Sequence, residues 1–213
     1  MATELGVKNA ALREIGERNL TSLTEAVEAR YVIDDVYDIV LADCLDAGLW
    51  NFAVREVQLD SDTGIDPGFG YNHVFAKPSD WVRTVALSAD ESRQIALEQY
   101  SDRVTNWSAD VDPIYVDYVS NGASYGLSLT NWPRPFTRYV ELALAERICE
   151  RLTQNASKAE IIKRDKKEAL LLAKSHDAMN EAQPRYAPMG SWNSARTGGG
   201  SRRDRGNRGS LIG

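Results

Sequence analysis

The chain has 213 residues, 43% of them apolar and 26% charged, with 25 Lys and Arg against 31 Asp and Glu. That length suits one domain, or one domain with a small insertion, and the composition excludes a wholly disordered or fibrous chain. The net charge of -6 is unevenly divided: from Pro184 onward six arginines stand against Asp204, a balance of +5, so residues 1–183 carry -11. An acidic body followed by a basic segment predicts different partners for the two parts.

No apolar run approaches the roughly 18–20 residues of a membrane span, and Met1-Ala-Thr-Glu-Leu5 lacks the pattern of a secretory signal. The expectation is a chain made and used in a cytoplasm-like compartment, with no membrane partner. Cys44 and Cys149 each sit in an apolar helical pattern and read as buried free thiols. His73 and His176 have neither zinc-helix nor haem-attachment spacing, so no metal site and no cofactor is expected.

In chain order, Thr3 caps a first helix running to about Glu17, with Leu5, Leu12 and Ile15 along one side. Thr24 opens a second, with Ala26, Ala29, Ile33, Val36, Val40, Cys44 and Ala47 at three- and four-residue steps until Gly48. Its other face is acidic, carrying Asp34, Asp35 and Asp38 among seven carboxylates against a lone Arg30. Period-two alternation then predicts strands over 52–59, 81–87 and 114–119, separated by turn-rich segments. Fourteen of the 18 aromatic residues fall between Trp50 and Tyr139, which predicts a thin sheet core filled by large rings. Pro133 and Pro135 suit a helix start, with Phe136, Val140, Leu144, Ile148 and Leu152 following at four-residue steps. A last, lysine-rich helix begins near Ser157, carries Ile162, Ala169, Leu172 and Ala173, and fades near Pro184. The expected fold is therefore α+β: an antiparallel helical bundle from 1–50 and 133–183, an inserted β-sheet or barrel domain over 51–132, and an extended basic C-terminal tail over 184–213, too poor in apolar residues to fold alone.

Gly122-Ala-Ser124-Tyr-Gly126 matches a nucleophile-elbow pattern, but no strand-to-helix turn is expected there and a β-turn with two glycines explains it. No catalytic residue is assigned. Asp34, Asp35 and Asp38 are crowded enough to bind a cation weakly, yet a solvated face is the simpler reading. In the tail, Arg185, Tyr186, Trp192, Arg196, Arg202, Arg203, Arg205 and Arg208 combine guanidinium groups with aromatic rings. Single-stranded nucleic acid is one ligand for such a segment, and a protein with acidic and aromatic pockets is the other; the acidic body favours the protein.

Several stretches in series resemble the tail tubular protein A family, the head-to-tail adaptors of tailed phages. They are Ala10-Ala-Leu-Arg-Glu-Ile-Gly16; Leu49-Trp50-Asn-Phe52-Ala53; Tyr71-Asn-His-Val-Phe75-Ala-Lys-Pro78-Ser-Asp80-Trp-Val-Arg83-Thr-Val85; Ile114-Tyr115-Val-Asp-Tyr118; and Trp132-Pro-Arg-Pro-Phe136 leading into Ala143-Leu-Ala145-Glu-Arg. The resemblance implies a non-enzymatic virion protein at the head-tail junction, assembled in the host cytoplasm as a ring homo-oligomer, expected to be a dodecamer. Its implied partners are the portal protein, the tail or nozzle protein, and genomic DNA passing through the lumen. The C-terminal tail would dock on the portal, and Asp34, Asp35 and Asp38 would face the channel, where like charge keeps duplex from sticking. The alternative is a nucleic-acid-binding protein acting through its Arg/Gly-rich tail.

Overall fold

Helix α1 (Glu4–Ile15) starts where Thr3, in extended backbone, lets its Oγ1 accept the Gly6 N–H at 3.1 Å. It ends at Gly16, whose φ of +80° suits glycine and lets the Gly16 and Glu17 N–H groups close on the Arg13 and Leu12 carbonyls. These facts come from a computed structural model, which describes residues 2–67, 70–93 and 95–180.

Helix α2 (Glu28–Asp46) begins four residues later than Thr24 suggests. The Thr24 hydroxyl pairs with Ser22, and the Glu25 carboxylate accepts from the Thr21 N–H at 2.6 Å and the Thr21 hydroxyl at 2.8 Å. Local side-chain bonding holds 21–27 in turns, in competition with helix. The buried face is also broader than expected, because Val32, Tyr37, Leu41 and Leu45 join Ile33, Val40 and Cys44 inside.

A short 3-10 turn at Asn51–Ala53 leads into the strands: β1 (Val54–Leu59), β2 (His73–Ala76), β3 (Trp81–Ser88), β4 (Ser101–Asp102), β5 (Asn106–Ala109) and β6 (Ile114–Ser120). They form two antiparallel three-stranded sheets, ordered β1-β6-β3 and β2-β5-β4. The barrel alternative is therefore corrected: among the described residues neither sheet closes on itself. Phe75 and Trp107 from one sheet meet Leu87, Ile114, Val116 and Tyr118 from the other in a small core, with Trp81 and Tyr100 packed on it. Large rings do fill it.

Helix α3 (Arg134–Thr153) packs against α1, α2 and the last helix, α4 (Ala156–Met179). Phe136, Val140, Leu144 and Ile148 are buried at four-residue steps, and Tyr139, Leu142, Ala143 and Ala145 extend burial around it. Asn155 caps α4, its Oδ1 accepting the Lys158 N–H at 3.0 Å. Ile162, Ala169 and Ala173 face inward, but Leu172, expected on that stripe, is 67% exposed, as is its neighbour Leu171 at 69%. The inward line of α4 is narrow and made largely of small residues, and a leucine one step around the helix is left outside.

The segments that link helices to strands meet α3 at an aromatic cluster. Phe136 lies 4.9 Å from Trp50, 4.7 Å from Phe52 and 5.1 Å from Trp132, centroid to centroid. The two indoles are anchored as well as packed: Trp50 donates to the Cys44 carbonyl at 2.9 Å and Trp132 to the Gly126 carbonyl at 2.8 Å. The protein is thus a mixed α+β structure with four helices among the described residues. The expected tail over 184–213 lies outside them.

Candidate interaction surfaces

The three aspartates singled out on α2 have different surroundings. Asp34 accepts from Lys8 at 2.7 Å and from Arg30 at 2.8 Å. Lys8 is almost wholly buried, also binds Glu4 at 2.6 Å, and lies 4.6 Å from the centre of the Tyr37 ring. Burial alone would lower its pKa, but the hydrogen bonds from its ammonium to Asp34 and Glu4 outweigh that and raise it. Asp34 therefore neutralises a buried ammonium and ties α1 to α2. Asp35 is mostly exposed, 3.6 Å from Arg151, and Asp38 has no ion-pair partner among the described residues. Both stand on the outer face of α2 with Tyr31 and Ile39, apolar groups about half exposed that the acidic pattern conceals in the sequence.

On the far side of α3, an open groove of 620 Å³ runs between α3 and α4, lined by Pro135, Arg138, Leu142, Ala169, Leu172 and Met179 among others. Arg138 bonds Glu14 at 2.6 Å and lies 3.6 Å from Glu141. Burial raises the Glu141 carboxyl despite Arg134 and Arg138 beside it. This is an apolar trough with balanced charge on its rim, not a preorganised acid–base pair.

In the β region Asp80 is a well-connected polar group. Its carboxylate accepts from the Ser120 hydroxyl at 2.5 Å, Arg55 at 2.9 Å and the Tyr118 hydroxyl at 3.0 Å. Desolvation would raise its pKa, and the three donors together hold it below the ordinary value. The same desolvation, with the carboxylate beside it, pushes the Tyr118 phenol up to about 12. Asp80 fastens the start of β3 to β1 and β6, a structural use of the Phe75-x-x-Pro78-x-Asp80 pattern.

Ser124 lies in a run of turns: the Tyr125 and Leu127 N–H groups donate to the Gly122 carbonyl, and the Gly126 N–H to that of Ser120. The next α-helix begins only at Arg134, so the glycine pair makes a turn and not a strand-to-helix elbow. His176 sits on α4 along the trough, and Ser124 is not among the trough's residues. Cys44 and Cys149 are buried free thiols, and burial pushes Cys44 up to about 12, far from the thiolate form at neutral pH. Among the described residues no cluster of His, Cys, Asp and Glu is set to hold a metal, and no helix is long and apolar enough to cross a membrane. Arg185, Tyr186, Trp192, Arg196, Arg202, Arg203, Arg205 and Arg208 all lie outside the described residues.

No protein-family model matches the chain, and no curated protein matches it in sequence.

Proposed function

We propose that the protein is a structural adaptor of a tailed-phage virion, a ring of identical subunits that docks on the portal and connects it to the tail or nozzle. The observation that carries this reading is where the resembling stretches fall. Trp50 and Phe52, Trp132 and Phe136 supply the aromatic cluster that holds the segments entering and leaving the β region against α3, and Asp80 supplies the polar tie within the sheets. The stretches shared in outline with tail tubular protein A are thus the ones that set how a helical layer carries an inserted β region, an architecture suited to presenting different faces to a partner above and a partner below.

The chemistry of the surfaces fits the same role. The body over residues 1–183 carries -11, and carboxylates lining a lumen repel passing duplex DNA. The basic segment from Arg185 to Arg208 fastens the ring to the portal, where many weak contacts around a ring add through avidity.

Mixing the purified protein with portal rings and imaging the product tests the proposal. A stoichiometric collar on the portal is expected. Deleting 184–213 should abolish the collar while leaving a folded body by circular dichroism; a collar that forms undiminished without the tail refutes the docking role. Salt-dependent binding to single-stranded DNA, lost with the tail and accompanied by no collar, would instead establish the nucleic-acid-binding alternative.

A further inference from the structure

The outer faces of α2 and α4 are opposite in charge and alike in carrying uncovered apolar groups. The exposed positions of α2 hold six carboxylates, Glu28, Asp34, Asp35, Asp38, Asp43 and Asp46, and no cation. Those of α4 hold Lys163, Arg164, Lys167 and Lys174 against Glu160 and Glu168. On α2, Tyr31, Asp35, Asp38 and Ala42 succeed one another at four- and three-residue steps, with Ile39 alongside. On α4, Arg164, Lys167, Leu171, Ser175 and Ala178 do the same, with Ile161 and Leu172 alongside. Each row is a ridge of the kind that packs into another helix's groove, and Ala42, Ser175 and Ala178 permit close approach. Leaving Tyr31, Ile39, Ile161, Leu171 and Leu172 half or more exposed on two helices is a pattern that marks contact surfaces.

We infer that the α2 outer face of one copy of this chain seats against the α4 outer face of a second copy. Charge selects this occupant. Two α2 faces brought together would set carboxylates against carboxylates and two α4 faces cations against cations, whereas α2 against α4 sets Asp35 and Asp38 among Arg164 and Lys167 and closes the apolar groups between them. The two faces are carried by different helices of every copy. Helix α2 is held to α3 through Asp43 with Arg147 and Asp35 with Arg151, and α4 is held to α3 through Lys166 with Glu146, which leaves the Tyr31–Ala42 row and the Arg164–Ala178 row as two unlike outer surfaces of one copy. A contact between unlike surfaces is heterologous, so each copy uses both faces and the association propagates to a closed ring or a filament. One helix-on-helix contact buries less than the ~1,200 Å² typical of a stable pair, so the single contact is weak and gains strength from closure or from a template. The inference deepens the ring reading above and names the surfaces that would make it.

The test uses the full-length chain at high concentration. Ile39→Cys and Leu171→Cys variants are prepared separately and mixed under mild oxidation. Cross-linking is expected in the mixture, with Ile39→Cys or Leu171→Cys alone giving at least fivefold less. The Asp35→Lys/Asp38→Lys pair on the α2 partner should cut the yield at least fivefold, and Arg164→Glu/Lys167→Glu on the α4 partner should restore it. Cross-linking by Leu171→Cys alone, no cross-linking in the mixture, or reversal without rescue each overturns the α2–α4 pairing. Portal imaging with the unmodified protein separates the two readings. A collar without the cross-link leaves the adaptor standing and removes this interface; the rescued cross-link without a collar keeps the interface and removes the adaptor.

Discussion

Replacing Phe136 by alanine tests whether the aromatic cluster is what holds the segments entering and leaving the β region against α3. The ring is 1% exposed and meets Trp50, Phe52 and Trp132 at centroid distances of 4.9, 4.7 and 5.1 Å, with Tyr139 further off at 6.4 Å. Truncating a buried Phe to Ala costs about 3–5 kcal/mol through lost transfer energy and the cavity left behind. Close aromatic pairs contribute about 0.5–1.5 kcal/mol each beyond area, and three such pairs share this one ring, which places the loss at the upper end, about 4–5 kcal/mol. Phe136→Leu keeps most of the volume but none of the ring contacts, and should cost about 1–2 kcal/mol. A domain with about 5–15 kcal/mol in hand would survive the leucine and lose roughly a quarter or more of its stability with the alanine. Urea unfolding followed by tryptophan fluorescence reads both, with near-UV circular dichroism reporting Trp50 and Trp132. An alanine variant that loses less than about 2 kcal/mol with an unchanged urea slope would show that the cluster closes up without the ring, and would refute its role as the joint.

Asp80→Asn should destabilise the protein at neutral pH by about 1–3 kcal/mol, the range for a hydrogen-bonded, partly buried charge. Because the folded carboxyl titrates below its unfolded value, that stabilisation is present above pH ~4, the unfolded pKa, and is lost as pH falls through the lowered folded pKa. Unfolding curves of wild type and variant from pH 7 to 3 should therefore converge at the acid end, and a gap that stays constant or widens there contradicts the assignment. Gly126→Ala should cost about 2 kcal/mol or more in chemical denaturation, since a Cβ there overlaps the Ser120 carbonyl oxygen and also crowds Leu45. A neutral effect would mean that the turn yields freely.

Local interactions set what the sequence determined by itself. The Thr3 cap, the proline-marked start of α3, its four-residue apolar steps and the alternation of β1, β3 and β6 need only near neighbours, and the helices and strands formed where those signals stood. Strands β2, β4 and β5 were not legible, being two to four residues long and held by pairing with each other and by Phe75 and Trp107 in a shared core. The start of α2 moved because Glu25 and Thr21 satisfied one another locally, a competition that propensity alone does not rank. Of the candidate acidic site, the carboxylates were readable as a negative face. That Asp34 is consumed by buried Lys8 while Asp35 and Asp38 stay outside depends on α1 packing beside α2. Likewise a helical pattern shows that α4 has leucines, but only the narrow contact of Ile162, Ala169 and Ala173 with its neighbours decides that Leu171 and Leu172 remain outside. Periodicity records which residues share a face; the shape of the opposing surface determines how much of that face is covered, and that shape exists only once the elements have packed.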